Sequence, residues 1–485
     1  MSNGILHRML GVPELIAAKI GSYGSGLFGP VDDERNVTDL PVIEGEIPTE
    51  LFGMFARNSP NPRFAPRGRY HWFDGDGMVH AVYIEGGKAR YQNRFVQTRG
   101  LALEQAAGHA LWSGILEPID IKNPHGPIKN TANTDLVFHG GKLLALWWLG
   151  AEPYALNGRD LSTEGVWDFH GTAKAGCASH AKLDTQTGDL MFFDYSAIRP
   201  PYMTYGVANK DGRVDHHTAI DLPGPRLLHD LAITPNYTVL LDLPLLWRND
   251  KLQAGKRYVA FDKSIPARFG ILPRRGHGSQ VRWLEDDACY IFHTVNAYEN
   301  GNELVLEACR IADPMAKLRE PPSDSPRLDF MDLTPYLTRW RFDLTTGSAK
   351  REQLDDVPTE FPAIDVRRRG RNARYAYSPR LARTPTLLFE GFIKYDLLRG
   401  TSIYKGFGEG QFGCEGAFVP RPGATDEDDG WVVTFTLDGF TDTSNLLVLN
   451  ARDLSTAARI SLPRRVPIGF HSTWVPGELL GTGIA

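Results

Sequence analysis

Hydrophobic and polar residues alternate along most of the chain from about residue 70 onward, a pattern typical of half-buried β-strands. Pairs of such runs are separated by short turns that contain glycine, asparagine or aspartate. These turns are Gly86–Gly87, Gly140–Gly141, Asp184–Gly188, Asn300–Gly301, Asp343–Gly347 and Asp396–Gly400. Because glycine and asparagine tolerate the positive φ angles of tight turns, each pair predicts a β-hairpin.

The hairpins recur at intervals of about 40–60 residues without strict sequence identity, which is the spacing of four-stranded blades in a β-propeller. A pair of β-sandwiches is the structural alternative. No linker or run of charges divides the hairpins, so the pattern favours the propeller. Helical patterning is confined to the N-terminal segment, residues 101–116 and residues 313–320.

The N-terminal segment is apolar and mildly amphipathic, with Pro13 interrupting it. The apolar residues that would share one helical face are Ile5, Leu6, Met9, Leu10, Leu15, Ile16 and Ile20. One interpretation is a helix that packs on the main body. The alternative is an interfacial element that contacts a membrane.

Composition narrows the class of protein. The 485 residues are 42% hydrophobic and 23% charged with a net charge of -5, which indicates a globular chain without a basic surface for nucleic acid. No apolar run approaches the roughly 20 residues of a membrane-spanning helix, and no signal peptide is apparent. The four cysteines show no CxxC spacing, so we expect reduced thiols in a cytoplasmic protein.

Four of the 14 histidines lie within or beside strand-like apolar runs and have small or polar neighbours. They are His180 in CASHAKLD, His229 in LLHDLAIT, His293 in YIFHTVNAYE and His471 in GFHSTWVP. Taken singly, each is more often a packing residue than a ligand. In a propeller, however, the inner strand of each blade reaches the axis, so histidines remote in sequence can meet there.

The segments around these histidines resemble the carotenoid cleavage oxygenase family, which includes lignostilbene dioxygenases, apocarotenoid oxygenases and the retinoid isomerase. The resemblance runs from about residue 36 to the end of the chain, with its motifs in family order. The motifs are GEIPTELFGMFARNSPNPRF, HWFDGDGMVH, RFVQTRG, NTANTDLVFHGGKLLALW, the four histidine segments, EFPAID, CEGAFVPRPGATDEDDGW and PRRVPIGFHSTWVP.

This resemblance implies an all-β, seven-bladed propeller with a helical or loop cap over an iron site. It divides the chain into an N-terminal segment, residues 1–35, and one catalytic domain, residues 36–485. It further implies one Fe(II) per chain and O2 as co-substrate for cleaving a C=C bond into two carbonyl products. The implied iron ligands are His180, His229, His293 and His471.

Four neutral imidazoles suit Fe(II), and they leave two of six octahedral positions open without a carboxylate ligand. We therefore expect no flavin, nicotinamide or 2-oxoglutarate. Such histidines need partners on the second ring nitrogen, and the family's glutamates correspond to Glu360 and Glu415. At the family's third glutamate position the chain has Trp148, with Glu152 offset, so either Glu152 reaches back or water or backbone orients one histidine.

The resemblance also bears on the substrate. Stilbene-cleaving relatives bind a phenol with a tyrosine and a lysine, but here the tyrosine position is Phe95 and LWWLG contains no lysine. An unpaired phenol would cost about 1–3 kcal/mol, which favours a carotenoid or apocarotenoid over stilbene- or phenylpropene-type alkenes. The predicted substrate or oxygen pocket includes Thr134, Phe95 and Trp148.

A lipophilic alkene would be extracted from a membrane, so we expect peripheral membrane contact through the N-terminal segment and residues 110–119. We expect the protein to be a monomer or a dimer. Three alternatives remain open. One is a calcium-dependent, lactonase-like propeller hydrolase using FDGDG at residues 73–77, although turn chemistry is the simpler explanation. The others are a non-catalytic binding propeller and an iron enzyme that isomerises the alkene.

Overall fold

The computed structural model describes residues 16, 19–20, 23–248, 259–316 and 333–485. Its antiparallel strands divide into seven blades, numbered here 1–7 in chain order, of which blades 6 and 7 are joined into one eight-stranded sheet by the pairing of Phe389 with Gly413. Blade 1 contains β1 (Asn36–Val37), β3 (Gly53–Pro60), β4 (Gly77–Glu85), β5 (Lys88–Phe95) and β31 (Ser472–Pro476). Blade 2 contains β6 (Asp135–His139), β7 (Lys142–Leu146), β8 (Tyr154–Leu156) and β9 (Thr163–Val166). Blade 3 contains β10 (Lys182–Leu183), β11 (Leu190–Tyr195), β12 (Met203–Ala208) and β13 (Val214–Ile220).

The second half of the disc continues the pattern. Blade 4 contains β14 (Leu231–Ile233), β15 (Tyr237–Asp242), β18 (Ala267–Pro273) and β19 (Arg282–Asp286), with a side hairpin of β16 (Leu245–Trp247) and β17 (Val259–Phe261). Blade 5 contains β20 (Tyr290–Asn300), β21 (Glu303–Ile311), β22 (Tyr336–Asp343) and β23 (Ala349–Pro358). Blade 6 contains β24 (Tyr375–Leu381), β25 (Phe389–Asp396) and β26 (Thr401–Gly406). Blade 7 contains β27 (Gln411–Pro420), β28 (Gly430–Asp438), β29 (Thr443–Asn450), β30 (Thr456–Ser461) and β2 (Val42–Gly45).

Each of the six predicted turns joins two adjacent antiparallel strands, so the hairpin predictions are confirmed. Gly86 and Gly87 connect β4 to β5 with φ angles of 58° and 74°, values that only glycine adopts without strain. The predicted propeller is therefore correct.

Both ends of the chain close the disc. The C-terminal strand β31 pairs with β3 of blade 1, whereas the N-terminal strand β2 pairs with β30 of blade 7. The inner ring takes one strand from each blade: β31, β6, β10, β14, β20, β24 and β27. In this ring β24 contacts β27, β27 contacts β31, β31 contacts β6, and β14 contacts both β10 and β20. Closure therefore removes most exposed sheet edges and brings distant sequence segments to one axis.

The core lies between the blades. Seven apolar clusters occupy the seven interfaces between consecutive blades. Phe55 of blade 1 meets Phe435 of blade 7 edge to face at 4.9 Å, and Phe269 of blade 4 lies 5.3 Å from Trp340 of blade 5. Aromatic pairs of this kind add about 0.5–1.5 kcal/mol each beyond their area burial.

Two α-helices are present in the described parts of the chain, α1 (Arg99–Ala107) and α2 (Gly477–Leu480). Thr98 caps α1 by accepting a hydrogen bond from the Leu101 amide, and Gly108 ends it with a φ of 75°, so the helix predicted for residues 101–116 stops early. Residues 313–316 form a turn, and residues 317–320 lie outside the described residues. The described segments over the metal-centre face are mostly loops, so the helical part of the predicted cap is not confirmed.

The described part of the N-terminal segment packs on the propeller. Ile16 and Ile20 are buried in a cluster that includes Phe412 and Phe470. The other members of the predicted apolar face, Ile5, Leu6, Met9, Leu10 and Leu15, lie outside the described residues. Among the described residues, no helix has the length and apolar character needed to span a bilayer.

All four cysteines are buried and none forms a disulfide.

Candidate metal centre

The four predicted histidines lie within or directly before four inner strands. His180 and His229 lie just before β10 and β14, His293 lies within β20, and His471 immediately precedes β31. The β20–β21 pairing is irregular between Ile291 and Thr294, and this bulge carries His293.

The structure brings these imidazoles together. One ring nitrogen of each histidine lies within 4.8 Å of the corresponding nitrogens of the other three. The ring centroids are 4.3 Å apart for His180 and His471 and 5.1 Å apart for His229 and His293. All four side chains are buried, with 5–7% of each residue exposed.

His180 adopts a left-handed backbone conformation, with φ at 67°. This conformation is strained for a residue with a Cβ, and such strain is characteristic of functional sites. Its amide donates a hydrogen bond of 2.9 Å to Oδ2 of Asp135, at the start of β6. Asp135 therefore ties blade 2 to the ligand-bearing segment of blade 3.

Glu360 fixes the orientation of His293. Its Oε2 lies 2.5 Å from Nδ1 of His293 and also accepts a hydrogen bond of 2.6 Å from the Phe361 amide. Oε2 thus bridges the Phe361 amide and the His293 ring and holds the ring in one orientation. Nε2 of His293 is buried and has no hydrogen-bond partner among the described residues, and it carries a free lone pair in the tautomer whose Nδ1–H donates to Glu360.

Glu415 has the same relation to His471. Its Oε1 lies 3.2 Å from Nδ1 of His471, while Oε2 accepts a hydrogen bond of 2.5 Å from the Ser472 amide. Burial lowers the pKa of His471, but the carboxylates of Glu415 and Asp135 together raise it by more, so the pKa lies above its ordinary value. Burial likewise raises the pKa of Glu360 well above its ordinary range.

The other two histidines have no such carboxylate partner. Nδ1 of His180 is 4.0 Å from Oδ2 of Asp135, beyond hydrogen-bond distance. Nδ1 of His229 is buried and has no hydrogen-bond partner in the described structure. The rings of His229 and Phe292 instead meet edge to face, with centroids 4.9 Å apart and planes at 87°.

Glu152 does not replace the third glutamate. Its side chain is 58% exposed and lies 3.8 Å from Arg99. Trp148 is 3% exposed and is packed among aromatic rings. The suggestion that Glu152 reaches back to a histidine is therefore wrong, because the strand β7 ends before it and the following loop carries it to the surface.

Asp230 is a connecting residue that sequence reasoning missed. Its Oδ2 accepts hydrogen bonds from the amide and hydroxyl of Thr294, at 2.7 and 2.8 Å, and its Oδ1 lies 2.7 Å from Nζ of Lys182. One carboxylate therefore joins the segments that carry His180, His229 and His293. The aspartate directly after His229 was the available signal, but its partners are remote in sequence.

The donor set fits a metal ion. Burial, together with nearby histidines, holds the pKa values of His180, His229 and His293 well below the ordinary value, which favours the neutral, metal-binding form. Metal–nitrogen bonds of about 2.1 Å place opposite ligands about 4.2 Å apart, which is compatible with this cluster. Within the described residues, these histidines form the cluster that could hold a metal ion.

A cavity of about 540 Å³, called here the metal cavity, opens beside the histidines. Its lining is largely aromatic and aliphatic. The lining includes Tyr23, Trp72, Phe73, Thr134, Trp148, Phe292, Leu333, Phe361, Leu381, Leu387, Leu388 and Phe470. A second cavity of about 360 Å³, called the side cavity, is lined by Phe64, Trp112, Ile115, Ile119, Trp147, Tyr195, Trp247 and others.

Of the predicted pocket residues Thr134 and Phe95, only Thr134 lines the metal cavity. Thr134 is buried and lines the metal cavity together with His229, His293 and His471. Phe95, at the end of β5, does not line this cavity. It packs with Met78 and Leu101 in a separate apolar cluster, so its assignment to the pocket is wrong.

The FDGDG segment does not offer a calcium site. Asp74 accepts hydrogen bonds from the amides of His71 and Ile115. Asp76 pairs at 2.5 Å with Nζ of Lys129, a buried cation at the place where calcium would have to bind. These contacts therefore favour the interpretation of FDGDG as a structural turn rather than a calcium site.

Comparisons with known proteins agree with the geometry. Residues 28–476 match the family model described as RPE65, retinal pigment epithelial membrane protein. Carotenoid 9,10(9',10')-cleavage dioxygenase 1 of Phaseolus vulgaris is 37% identical, covering 94% of this chain and 90% of its own. The crystal structure of Pseudomonas brassicacearum lignostilbene dioxygenase matches with a TM-score of 0.85 at 30% identity, covering 94% of this chain and 98% of that one.

The crystal structure of cobalt-substituted Synechocystis ACO, at 26% identity, matches with a TM-score of 0.79 over 92% of this chain and 97% of that one. That cobalt-substituted protein carries a metal in the same fold. The matches cover nearly the whole chain, and the motifs, the propeller and the histidine cluster agree with them. The chain therefore belongs to the carotenoid cleavage oxygenase family.

Proposed function

We propose that this protein is a non-heme iron(II) dioxygenase that cleaves a C=C bond of an apolar conjugated alkene with O2, giving two carbonyl products. A carotenoid or apocarotenoid is the favoured substrate. The observation that carries the proposal is the convergence of four buried histidines beside a largely apolar cavity of about 540 Å³.

The four imidazoles would hold the metal ion, with His293 and His471 oriented by Glu360 and Glu415. Bound there, Fe(II) supplies the electron-transfer chemistry that activates O2. The reaction balances without another co-substrate, because one O2 and one C=C bond give two C=O groups. We therefore expect no flavin, nicotinamide or 2-oxoglutarate requirement.

The chain's own residues bind and position the alkene. The rings of Phe73, Phe292 and Phe361 give the metal cavity aromatic walls, which favour a planar conjugated chain and exclude water. Phe361 stacks on His471 at 4.6 Å and lies 4.7 Å from His293, so it limits where an alkene can approach the histidines. Its φ of 54° indicates that the surrounding structure enforces this position.

Purification without oxygen, followed by metal analysis, tests the centre. We expect about one iron per chain. Calcium instead of iron would support the propeller hydrolase, and no metal would support a binding propeller.

Incubation with carotenoids, apocarotenals, stilbenes and phenylpropenes, with O2 uptake and mass spectrometry of products, tests the reaction. Aldehyde pairs formed with equimolar O2 uptake support the dioxygenase. Alkene rearrangement without O2 uptake would support an isomerase.

Cleavage of stilbene- or phenylpropene-type alkenes is a second candidate, favoured by the similarity to the lignostilbene dioxygenase structure. The run LWWLG contains no lysine for phenol binding. Phe95, which the family resemblance places at the phenol-binding tyrosine, packs away from the metal cavity and offers no hydroxyl there. Higher kcat/KM for a 4-hydroxystilbene than for every apocarotenal would favour this candidate.

The lipophilic substrate suggests that the protein works at a membrane surface as a peripheral, cytoplasmic monomer or dimer. Ile128 and Ile198 line the side cavity and are 43% and 67% exposed, and nearby in sequence Ile121 is 82% exposed. We expect Ile198→Asp to reduce sedimentation with phosphatidylcholine vesicles. The matched control is Leu398→Asp in the β25–β26 turn, where Leu398 is 76% exposed. Equal sedimentation of both variants would contradict membrane contact through this surface.

A further inference from the structure

We propose that Phe73 and Trp148 form a fixed aromatic wall that limits the length of alkene the metal cavity accepts. This inference deepens the proposed function and rests on it. The wall separates the metal cavity from the side cavity, and Trp148 occupies the position at which the family resemblance expects a glutamate.

Both wall residues line both cavities. The Phe73 and Trp148 rings are 5.1 Å apart, and Trp148 stacks on Trp247 of the side cavity at 6.3 Å and 26°. Trp148 is only 3% exposed. The indole is therefore enclosed between the two cavities.

Buried hydrogen bonds hold the wall in place. The Trp148 amide donates to Oγ1 of Thr134 at 3.1 Å, and the Tyr195 hydroxyl donates to the Trp148 carbonyl at 3.0 Å. The side-chain amide of Asn133 donates to the Phe73 carbonyl at 2.9 Å. Both sides of the wall are therefore attached to the same buried dipeptide, Asn133–Thr134.

The same dipeptide also contacts the metal centre. The Thr134 hydroxyl donates to Oδ1 of Asn133 at 2.9 Å, and the His471 amide donates to the Thr134 carbonyl at 3.2 Å. The distance between the wall and the histidine cluster is thus set by hydrogen bonds that join the backbone to buried polar side chains. A wall held in this way acts as a fixed barrier rather than as a gate.

The side cavity is chemically suited to an apolar chain. Its surface includes Phe64, Trp112, Ile115, Ile119 and Trp247, and its volume of about 360 Å³ lies within the range of ligand sites. With the wall in place, an alkene arm that points toward Trp148 must end within the metal cavity. Without the indole, the arm could extend into the side cavity.

The test compares wild type, Trp148→Ala and Trp148→Phe on apocarotenals of stepwise increasing polyene length. We expect Trp148→Ala to raise kcat/KM at least tenfold for lengths that wild type cleaves poorly, with little gain for the shortest substrate. Trp148→Phe should fall between the two. The matched control is Trp167→Phe, because Trp167 is a buried tryptophan of the blade 2–blade 3 core that lines neither cavity.

A second measurement does not depend on turnover. In metal-free protein, binding of the same apocarotenals can be measured by quenching of tryptophan fluorescence. The longest polyene that still binds, called here the binding cut-off, should be longer for Trp148→Ala than for wild type. If Trp148→Ala does not fold, Phe73→Ala removes the other half of the wall and should extend the cut-off likewise.

The outcomes distinguish this inference from the proposed function. An unchanged length profile in folded Trp148→Ala or Phe73→Ala, with an iron-loaded and active wild type, overturns the wall alone. A wild type that binds no iron and cleaves no alkene overturns the proposed function, while the binding cut-off in metal-free protein still decides whether the wall exists.

Discussion

The metal centre has two sides that orient their histidines by different means. On the carboxylate side, Nδ1 of His293 and of His471 each faces a glutamate, at 2.5 and 3.2 Å. On the aromatic side, His229 has an unpartnered Nδ1 and an edge-to-face contact with Phe292. The same set of ligands is therefore held by hydrogen bonds on one side and by packing on the other.

The difference shows that a histidine ligand can be oriented without a hydrogen bond to its second ring nitrogen. Asp230, next to His229, holds the backbone of Thr294 and the ammonium of Lys182. Backbone hydrogen bonds of this kind place the Cα atoms, after which aromatic packing restricts the rotamer. The aromatic side is thereby left apolar, as an alkene-binding surface requires.

Removing a ligand from either side should have the largest effect. We expect His293→Ala and His229→Ala each to reduce alkene cleavage to background and to lower iron content, because three imidazoles bind the metal less tightly. His216 lies on the outer strand β13, so His216→Ala is the control and should keep the alkene cleavage activity and the iron content of wild type. Iron analysis and product formation check this, and a fully active His229→Ala would exclude that residue from the centre.

Removing a glutamate should have a smaller effect, confined to the carboxylate side. We expect Glu360→Gln to reduce iron affinity or activity roughly 10–100-fold, since a neutral amide stabilises the donor Nδ1–H less well. Glu152→Gln, at an exposed position, should match wild type. Iron affinity from chelator competition measures the effect, and equal affinities for the two variants would remove Glu360 from an orienting role.

Asp230→Asn tests the backbone contacts of the aromatic side. The substitution leaves Lys182 without its anionic partner and weakens the hydrogen bonds to Thr294, so we expect metal-free protein to lose about 1–3 kcal/mol of unfolding free energy. Asp442→Asn breaks an exposed pair with Lys19 and should cost at most about 1 kcal/mol. Urea unfolding compares the two, and equal losses would count against a special role for Asp230.

The smallest effect is expected from the packing contact itself. Phe292→Leu removes an aromatic contact of about 0.5–1.5 kcal/mol, which corresponds to a roughly two- to tenfold loss of iron affinity. Phe418→Leu, in the core between blades 6 and 7, should change stability without changing iron affinity. A loss as large as that in Glu360→Gln would show that packing orients the ring as strongly as a carboxylate does.

Much of the fold was predictable because its signals are local. Alternating hydrophobicity and turns such as Gly86–Gly87 specify hairpins within about ten residues, and the order of the family motifs indicated the closed ring of blades. The same motifs identified the four histidines as a group. Local signals failed at α1, which ends at Gly108 although helical patterning continues to residue 116.

The sequence by itself therefore determined the hairpins, the family and the four histidines that meet at the axis. Only the tertiary structure decided that Phe95 packs away from the metal cavity, that Glu152 lies at the surface, and that Asp230 joins three ligand segments. It also decided that Phe73 and Trp148 stand between two cavities. The physical reason is that these positions depend on how neighbouring blades and loops pack, through contacts between residues remote in sequence such as Asp230 with Thr294 and Asn133 with Phe73, and no local pattern encodes that geometry.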